Sequence, residues 1–271
     1  FPEVAVALKV KFADGPIGRF LKVLRNWSLR RAEMNVAIGE LMKERVIREG
    51  IPENRVTVIH NWVVGPEIKP VDRDQNPLRK AWGLDGKFVV GYSGNLGRAH
   101  DYQTMLAAAV ALTDNDDIRF VFIGGGAGMD LLKQGVEEKQ LPNVLFKPYQ
   151  PLERLSESLS VPDVHLITLQ PELEGLIVPS KFYGVLAVRR PIIYIGDGDG
   201  EIGRLLEMTG YGKSVHLLSE LCSVLLAQSR ELSSPVNYIL KSFTKNISLA
   251  EFSHFLEGPS REDNTVRRVA I

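Results

Sequence analysis

Between about residues 87 and 226, short apolar stretches alternate with longer amphipathic ones, and this alternation restricts the fold more than any other feature. The apolar stretches are rich in β-branched residues, which is typical of buried strands. Parallel strands need crossover connections, and the amphipathic stretches between them have the helical period. The sequence therefore predicts an α/β domain with a doubly wound parallel sheet, covered by helices on both faces. The predicted strands are 87–93, 118–123, 144–146, 164–168 and 191–195, and the predicted helices include 102–112, 152–159, 180–188, 201–207 and 220–228.

The first sixty residues differ in kind from this region. They predict helices at 17–34 and 39–49 and one short strand at 56–59, which are too few strands for a sheet of their own. A polar, proline-containing segment at 65–77 is typical of an interdomain linker. We therefore predict three parts: 1–64, an α/β domain over 65–228, and a tail over 229–271 with weaker helical patterns at 236–243 and 249–256.

Composition bears on the binding partners of the protein and on its cellular compartment. Lys and Arg together number 33, as do Asp and Glu, so no overall field attracts nucleic acid, which we do not expect as a partner. The single cysteine, Cys222, cannot form an internal disulfide and fits a reducing compartment. Since the sequence also has neither an apolar run of about 18 residues nor a leader-like start, we expect a cytoplasmic protein.

A glycine-rich turn follows the second predicted strand and precedes a helix, where glycine lets the backbone approach a phosphate. Gly124 and Gly126 are its candidate contacts. The dinucleotide fingerprint is incomplete, because its sixth position holds Met129 and no acidic residue ends the next strand. The pattern predicts either a plain tight turn or a loop that faces a nucleotide, and it disfavours an NAD site.

A second turn follows the first predicted strand. Its small residues Gly94, Asn95 and Gly97 leave room for a diphosphate, and an arginine can bind phosphate oxygens through two nitrogens. Arg98 and His100 are the candidate ligands. The alternative is a surface loop in which Arg98 is solvated and His100 is a capping or surface residue.

Two further turns complete the candidate site. Pro179 and Ser180 predict a helix start, whose free amides attract anions, and Lys181 adds a formal charge. Asp199 and Glu201 make the fourth loop acidic, which suits contacts with hydroxyl groups or a simple capping turn. Because carboxyl ends of parallel strands meet at one edge of a sheet, the three anion-attracting turns predict a ligand crevice there.

The sequence contains no nucleophile elbow, no His-Glu-x-x-His zinc motif, no cysteine cluster and no Walker loop. Hydrolase, metalloenzyme and nucleoside-triphosphatase functions therefore lack their usual motifs.

Seven stretches resemble a known family and follow its order over most of residues 1–216. They are PEVAVAL, WSLRRAE, RVTVIHNW, VVGYSGNLGRAHDYQTML, FVFIGGGAG, LPNVLFKPYQP and GLIVPSKFYGVLAVRRPIIYIGDGDGEIGRLL. They resemble the family-four glycosyltransferases of bacterial cell-surface polysaccharide synthesis, which have the GT-B fold with two Rossmann-like domains. In such enzymes the second domain binds a nucleotide-diphospho-sugar donor, and the acceptor, often lipid-linked, lies against the first.

The resemblance implies sugar transfer with retention of configuration, with the nucleotide sugar as substrate and neither a cofactor nor a bound metal. It implies that residues 1–64 are a helical remnant of the acceptor domain, most of which is absent. The implied catalytic residues are Arg98, Lys181 and Glu174. The implied donor-binding residues are Gly94, Asn95, Gly97, His100, Gly124, Gly126, Pro179, Ser180, Asp199 and Glu201.

The chain departs from the family pattern at two places. Many relatives carry Arg and Lys where this chain has Asn95 and His100, so Arg98 is expected to supply the charge. Relatives also carry a second glutamate seven residues beyond the one matched by Glu174, where this chain has no acidic residue. Asp199 or Glu201 is the expected replacement for its contact with the donor ribose.

Three functions stay open at this point. The first is a retaining glycosyltransferase, and the second is a non-catalytic or partner-dependent donor-binding subunit of a split enzyme. The third is a nucleotide-sugar epimerase or NAD-dependent enzyme. The basic, apolar stretch 17–34 predicts either an ordinary helix packed on its own domain or a helix that rests on the inner face of the plasma membrane, and a partner chain is the other candidate to cover it.

Overall fold

A computed structural model of the chain describes residues 2–11, 13–61 and 68–231. These residues separate into two compact units. The first comprises the described residues up to 61 together with Pro171–Val178, and the second comprises 68–170 and 179–231. The helical patterns predicted at 236–243 and 249–256, and part of the predicted linker, lie outside the described residues.

The first unit has a small parallel sheet. Its elements are α1 (Pro2–Ala7), α2 (Pro16–Arg31), β1 (Asn35–Ala37), α3 (Glu40–Arg48) and β2 (Val56–Val58). The strands β1 and β2 pair with Asn35 opposite Val56 and Ala37 opposite Val58. The expectation that this region has too few strands for a sheet was therefore wrong. The strand that was not predicted, Asn35–Ala37, has only three residues, which is too short to show an apolar alternation.

The second unit confirms the predicted α/β class. Its strands are β3 (Phe88–Asn95), β4 (Ile118–Gly125), β5 (Val144–Lys147), β6 (Val164–Thr168), β7 (Ile192–Ile195) and β8 (Gly212–Val215). They form one parallel sheet of six strands in the order β5-β4-β3-β6-β7-β8. The strand β8 was not predicted, because its residues Gly-Lys-Ser-Val are mostly polar.

Helices cover both faces of this sheet. They are α4 (Pro77–Ala81), α5 (Tyr102–Ala111), α6 (Ala127–Glu138), α7 (Leu155–Ser160), α8 (Lys181–Ala187), α9 (Glu201–Thr209) and α10 (Leu218–Glu231). On one face Met105, Leu132 and Leu221, from α5, α6 and α10, pack against the strands. On the other face the apolar cluster contains Leu78 of α4 and Val161, which follows α7.

The strand order places a switch in winding direction between β3 and β6. All eight residues of β3 pair with β4, whereas β3 pairs with β6 at only two positions, Val90 opposite Val164 and Gly91 opposite His165. The carboxyl ends of β3 and β6 are therefore not joined to each other by the ladder. In open α/β sheets, ligands bind in the crevice at such a switch point.

A buried ion pair fixes the amino-terminal side of the same two strands. The carboxylate of Asp163 accepts a hydrogen bond from the Val89 amide (2.7 Å), and the Asp163 amide donates to the Val89 carbonyl (2.8 Å). The other carboxylate oxygen of Asp163 lies 3.1 Å from Nη1 of Arg79, a side chain that is 1% exposed. Arg79 also donates to the carbonyls of Val161 and Lys87, both at 2.7 Å. Asp163 therefore joins α4, β3 and β6.

We expect Asp163→Ala to lower the free energy of unfolding by about 3–5 kcal/mol, because it leaves the Arg79 guanidinium buried without its carboxylate. Urea unfolding of the purified chain measures this change. The matched control is Glu157→Ala, which breaks the partly exposed Arg154–Glu157 pair (2.7 Å) and is expected to cost less than about 1 kcal/mol. Equal losses in the two variants would contradict the role given to Asp163.

Candidate functional site

Two glycine turns lie side by side at the carboxyl ends of β3 and β4. Gly94 is opposite Gly124 and Asn95 is opposite Gly125 in the ladder. Both Gly94 (φ +118°) and Gly124 (φ +127°) have backbone conformations that L side chains rarely adopt. A Cβ atom on Gly124 would lie 2.3 Å from the Gly94 carbonyl oxygen. The backbone at Gly94 can approach this closely because residue 124 has no side chain, and the positive φ of Gly94 separately favours glycine there.

Hydrogen bonds extend this contact beyond the strands. The Leu96 amide donates to the Gly125 carbonyl, and the Gly128 amide donates to the Leu96 carbonyl, both at 2.8 Å. Gly126 is again in a positive-φ conformation (+114°), and a Cβ there would lie 2.2 Å from the side-chain oxygen of Asn95. The first two turns singled out in the sequence are thus one hydrogen-bonded structure.

Lys181, the first residue of α8, reaches this structure. Its ammonium group contacts the Tyr92 hydroxyl, and it lies 3.3 Å from Nε2 of His100 and 3.5 Å from the Asn95 carbonyl oxygen. It also lies 4.0 Å from the centre of the Tyr92 ring. Among the described residues, no carboxylate forms an ion pair with Lys181. We call Lys181, Tyr92, His100 and the glycine turns the cradle.

His100 joins the cradle to β6. Its Nδ1 lies 2.6 Å from the Thr168 carbonyl oxygen, and the Asp101 amide donates to the Thr168 hydroxyl (2.8 Å). A carbonyl oxygen can only accept, so Nδ1 carries the proton and Nε2 accepts from Lys181. Burial and the neighbouring Lys181 charge lower the pKa of His100 to about 4. The imidazole is therefore neutral at pH 7 and spans the switch point.

The electrostatics of the cradle favour an anion. Burial lowers the pKa of Lys181 to about 7, and burial also raises the pKa of the Tyr92 hydroxyl, with Tyr149 adding to the effect. The side chains around the Lys181 amine are thus neutral near pH 7. Burying a charged group away from water costs free energy unless an opposite charge lies beside it. An anionic ligand beside Lys181 would supply that charge.

Arg98, Asn95 and Ser180 differ from the cradle side chains in that they are exposed to solvent. Arg98 is exposed in the loop between β3 and α5, as are the side chains of Asn95 and Ser180, whereas Pro179 is buried. The helix that begins at Lys181 has only seven residues, and the Ser180 side chain makes no capping hydrogen bond. Lys181 therefore contributes through its own charge more than through a helix dipole.

Three predicted residues, Glu174, Asp199 and Glu201, are not among the cradle contacts described above. Glu174 belongs to the first unit. Asp199 is exposed in the turn after β7, where its amide donates to the Asp197 carboxylate (2.9 Å), and Glu201 is buried at the start of α9. Their assigned roles stay predictions.

Sequence reasoning missed two tyrosines. Tyr92 stands in the apolar run of β3 and could not be told from a core residue by pattern alone. Tyr149 is 59% exposed, and its ring carbons lie 3.2 and 3.6 Å from the Cβ positions of Gly124 and Gly125. The one available signal was position, since Tyr92 precedes Gly94 by two residues and so lies near the carboxyl edge of the sheet.

Two negative observations concern the described residues alone. None of their helices has the length and apolarity that a membrane crossing requires. Their His, Cys, Asp and Glu side chains form no group of three or more that could hold a metal ion.

The chain is similar in sequence to bacterial proteins that are named as glycosyltransferases. No protein-family model matches the chain. It is 30% identical over 263 residues to the probable glycosyltransferase WbjE of Pseudomonas aeruginosa, with 93% of this chain and 65% of that protein covered. It is 26% identical over 230 residues to WcaI, a putative colanic acid biosynthesis glycosyl transferase of Escherichia coli K12, with 84% and 56% covered. The chain thus spans less than two thirds of these curated relatives.

Among solved structures, HepE of Anabaena in complex with UDP matches with a TM-score of 0.67 at 17% identity, covering 82% of this chain and 60% of HepE. The chain shares its fold with GT-B glycosyltransferases. HepE has also been solved with UDP-glucose, and that structure matches with a TM-score of 0.65. The lipopolysaccharide outer core galactosyltransferase WaaB matches with a TM-score of 0.53 at 17% identity, covering 83% of this chain and 60% of WaaB.

We expect Gly124→Ala to destabilise the chain by about 2 kcal/mol or more, because it adds both positive-φ strain and a collision with the Gly94 carbonyl. The matched control is Gly83→Ala, where φ is +68° but nothing lies within 4 Å of the added Cβ. That change is expected to cost about 1 kcal/mol, from strain alone. Thermal and urea unfolding measure both, and equal losses would argue against the close approach of the two turns.

Proposed function

We propose that this chain is the donor-binding part of a glycosyltransferase. It would transfer a sugar from a nucleotide-diphospho-sugar to a glycan or lipid-linked acceptor with retention of configuration. The observation that carries this proposal is the Lys181 amine, held without a carboxylate partner over two packed glycine turns at the switch point. The UDP and UDP-glucose complexes of HepE and the glycosyltransferase names of WbjE and WcaI support it.

In the proposed mechanism the cradle stabilises the leaving group. The nucleoside diphosphate gains negative charge as the glycosidic bond breaks, and preorganised donors aimed at that charge lower the barrier. Lys181 supplies a positive charge in the place where Asn95 and His100 supply none. Arg98 and the backbone amides of the turns provide further donors, and no metal or cofactor is expected to take part.

Tyr149 adds a second kind of contact to the proposal. Its ring is exposed beside the Gly124–Gly125 backbone, so one aromatic surface borders the proposed diphosphate position. Aromatic rings stack on flat partners at little cost in conformational entropy. We therefore assign the nucleoside end of the donor to the Tyr149 side of the cradle.

Calorimetric titration of the chain with UDP, GDP and their sugars tests the donor site. We expect one nucleotide to bind, and Lys181→Met to weaken its binding about 10- to 100-fold, since a hydrogen bond to a charged group contributes roughly 1.5–3 kcal/mol. Arg98→Ala is expected to weaken binding only a few-fold, because that side chain is exposed.

The matched control for this titration is Lys139→Met, which changes an exposed lysine directly after α6 and should bind as the unmodified chain does. If the unmodified chain binds none of these nucleotides, the donor-site proposal is wrong.

The acceptor side of the proposal starts from the first unit. A parallel sheet of two short strands is small for independent stability. The helix α2 also exposes apolar side chains, namely Ile17, Phe20, Leu21, Val23, Leu24 and Trp27. We propose that further parallel strands, from the same protein or from a partner chain, extend the sheet and cover this face. The proposed location is the cytoplasm, with a peripheral contact at the inner face of the plasma membrane as the other use of the α2 surface.

A product assay with labelled donor and lipid-linked acceptors tests the acceptor side. We expect the chain alone to bind donor and transfer no sugar, and a form in which the proposed further strands are supplied to transfer it with retained configuration. The alternative of a non-catalytic subunit gains no support from the relatives, which are named as glycosyltransferases. Transfer by the chain alone would show that no further strands are needed.

A further inference from the structure

Tyr92 is the one side chain in the cradle that is completely buried and carries a hydroxyl group next to the amine of Lys181. Its hydroxyl donates to the Asn95 carbonyl at 2.9 Å. A hydroxyl has a single hydrogen, so the oxygen meets Lys181 as an acceptor. Tyr92 therefore fixes both the backbone at the end of β3 and one N–H of Lys181.

His100 fixes a second N–H of the same amine. Its Nε2 must accept, because Nδ1 donates to the Thr168 carbonyl. The remaining acceptor near the amine is the Asn95 carbonyl oxygen, which is 3.5 Å away and already receives the Tyr92 hydroxyl. A neutral amine has both of its N–H groups used by these partners, whereas an ammonium has a third N–H for which the cradle offers only this distant oxygen.

We propose that Tyr92 is a positioning residue, which holds Lys181 so that its third N–H, gained with a proton, is donated to a diphosphate oxygen of the nucleotide sugar. This inference rests on the proposed function and deepens it. It assigns to Tyr92 no contact with the donor. Its effect on binding passes through Lys181.

The arrangement has a consequence for pH. The groups that face the amine are Tyr92 from β3 and His100 from the loop after it, and both are neutral near pH 7. Burial lowers the pKa of Lys181 to about 7, so the free site is mostly unprotonated at pH 8 and a bound anion restores the proton. Donor affinity should then fall about tenfold per pH unit above 7, with close to one proton taken up per donor at pH 8.

The experiment is calorimetry with the nucleotide sugar that binds, from pH 6.5 to 9, in two buffers of different ionisation enthalpy. The variants are Tyr92→Phe, Lys181→Met and the double variant, with ligand-observed NMR for the weaker ones. We expect Tyr92→Phe to weaken binding about 5- to 10-fold and to move the pH midpoint down, because it removes an acceptor that favours the charged amine. We expect Lys181→Met to abolish proton uptake, and Tyr92→Phe to have no further effect in that background.

The control is Tyr102→Phe, at the start of α5 and outside the cradle, which should change neither affinity nor proton uptake. An equal loss from Tyr92→Phe in both Lys181 backgrounds, or a pH midpoint that does not move, would overturn the positioning role. If the unmodified chain binds donor with no proton uptake, this inference fails while the proposed function stands. If the unmodified chain binds no donor, both fail.

Discussion

The two-sided hydrogen bonding of Asp163 with Val89 determines how β3 lies beside β6, and the rest of the second unit depends on this pairing. Only two residues of β3 pair with β6, and their partners lie at the amino-terminal end of β6. Without a clamp at that end, so short a ladder would leave the register weakly specified. Arg79 completes the clamp by tying the loops at both strand starts to α4. The strands are thus joined at one end and free at the other, which leaves room for a ligand where the chain changes its winding direction.

At the free end the protein replaces strand pairing with polar side-chain contacts. His100 bonds to Thr168 of β6 on one side and to Lys181 on the other, and Tyr92 bonds to both Lys181 and the backbone of β3. Every member of this set has a hydrogen-bond partner, so burial costs little as long as the groups are neutral. The set has no built-in negative charge among the described residues. A ligand that brings negative charge therefore gains more here than it would at a solvated lysine.

The sequence was sufficient to predict the α/β class and most of the large elements, because buried parallel strands such as 164–168 are short apolar runs with clear borders. It failed at Asn35–Ala37, which is too short to show a pattern, and at Gly212–Val215, whose residues are mostly polar. The glycine turns were found by their position after strands.

The contacts of the cradle were harder to predict than its residues. Lys181 lies 81 positions from His100 along the chain, and no local pattern reports that their side chains meet. The role of Tyr92 could not be predicted for a different reason, since a tyrosine in an apolar strand is in most cases a core residue. The two outcomes share a cause, because periodicity describes which face a residue takes and not which distant atom it touches.

The packing of backbone against backbone at Gly94 and Gly124 also limits how a site of this kind can diversify. A side chain on Gly124 would collide with the Gly94 carbonyl, and the positive φ of both residues disfavours any residue other than glycine, so these positions offer little for selection to vary. Tyr149, which is exposed beside the same turns, is free of that restriction. On the proposed function, the part common to all donors would be recognised by the turns and the part that distinguishes them by the exposed residues around the turns. A mutant library meant to change donor choice should be confined to such rim positions and leave the turns intact.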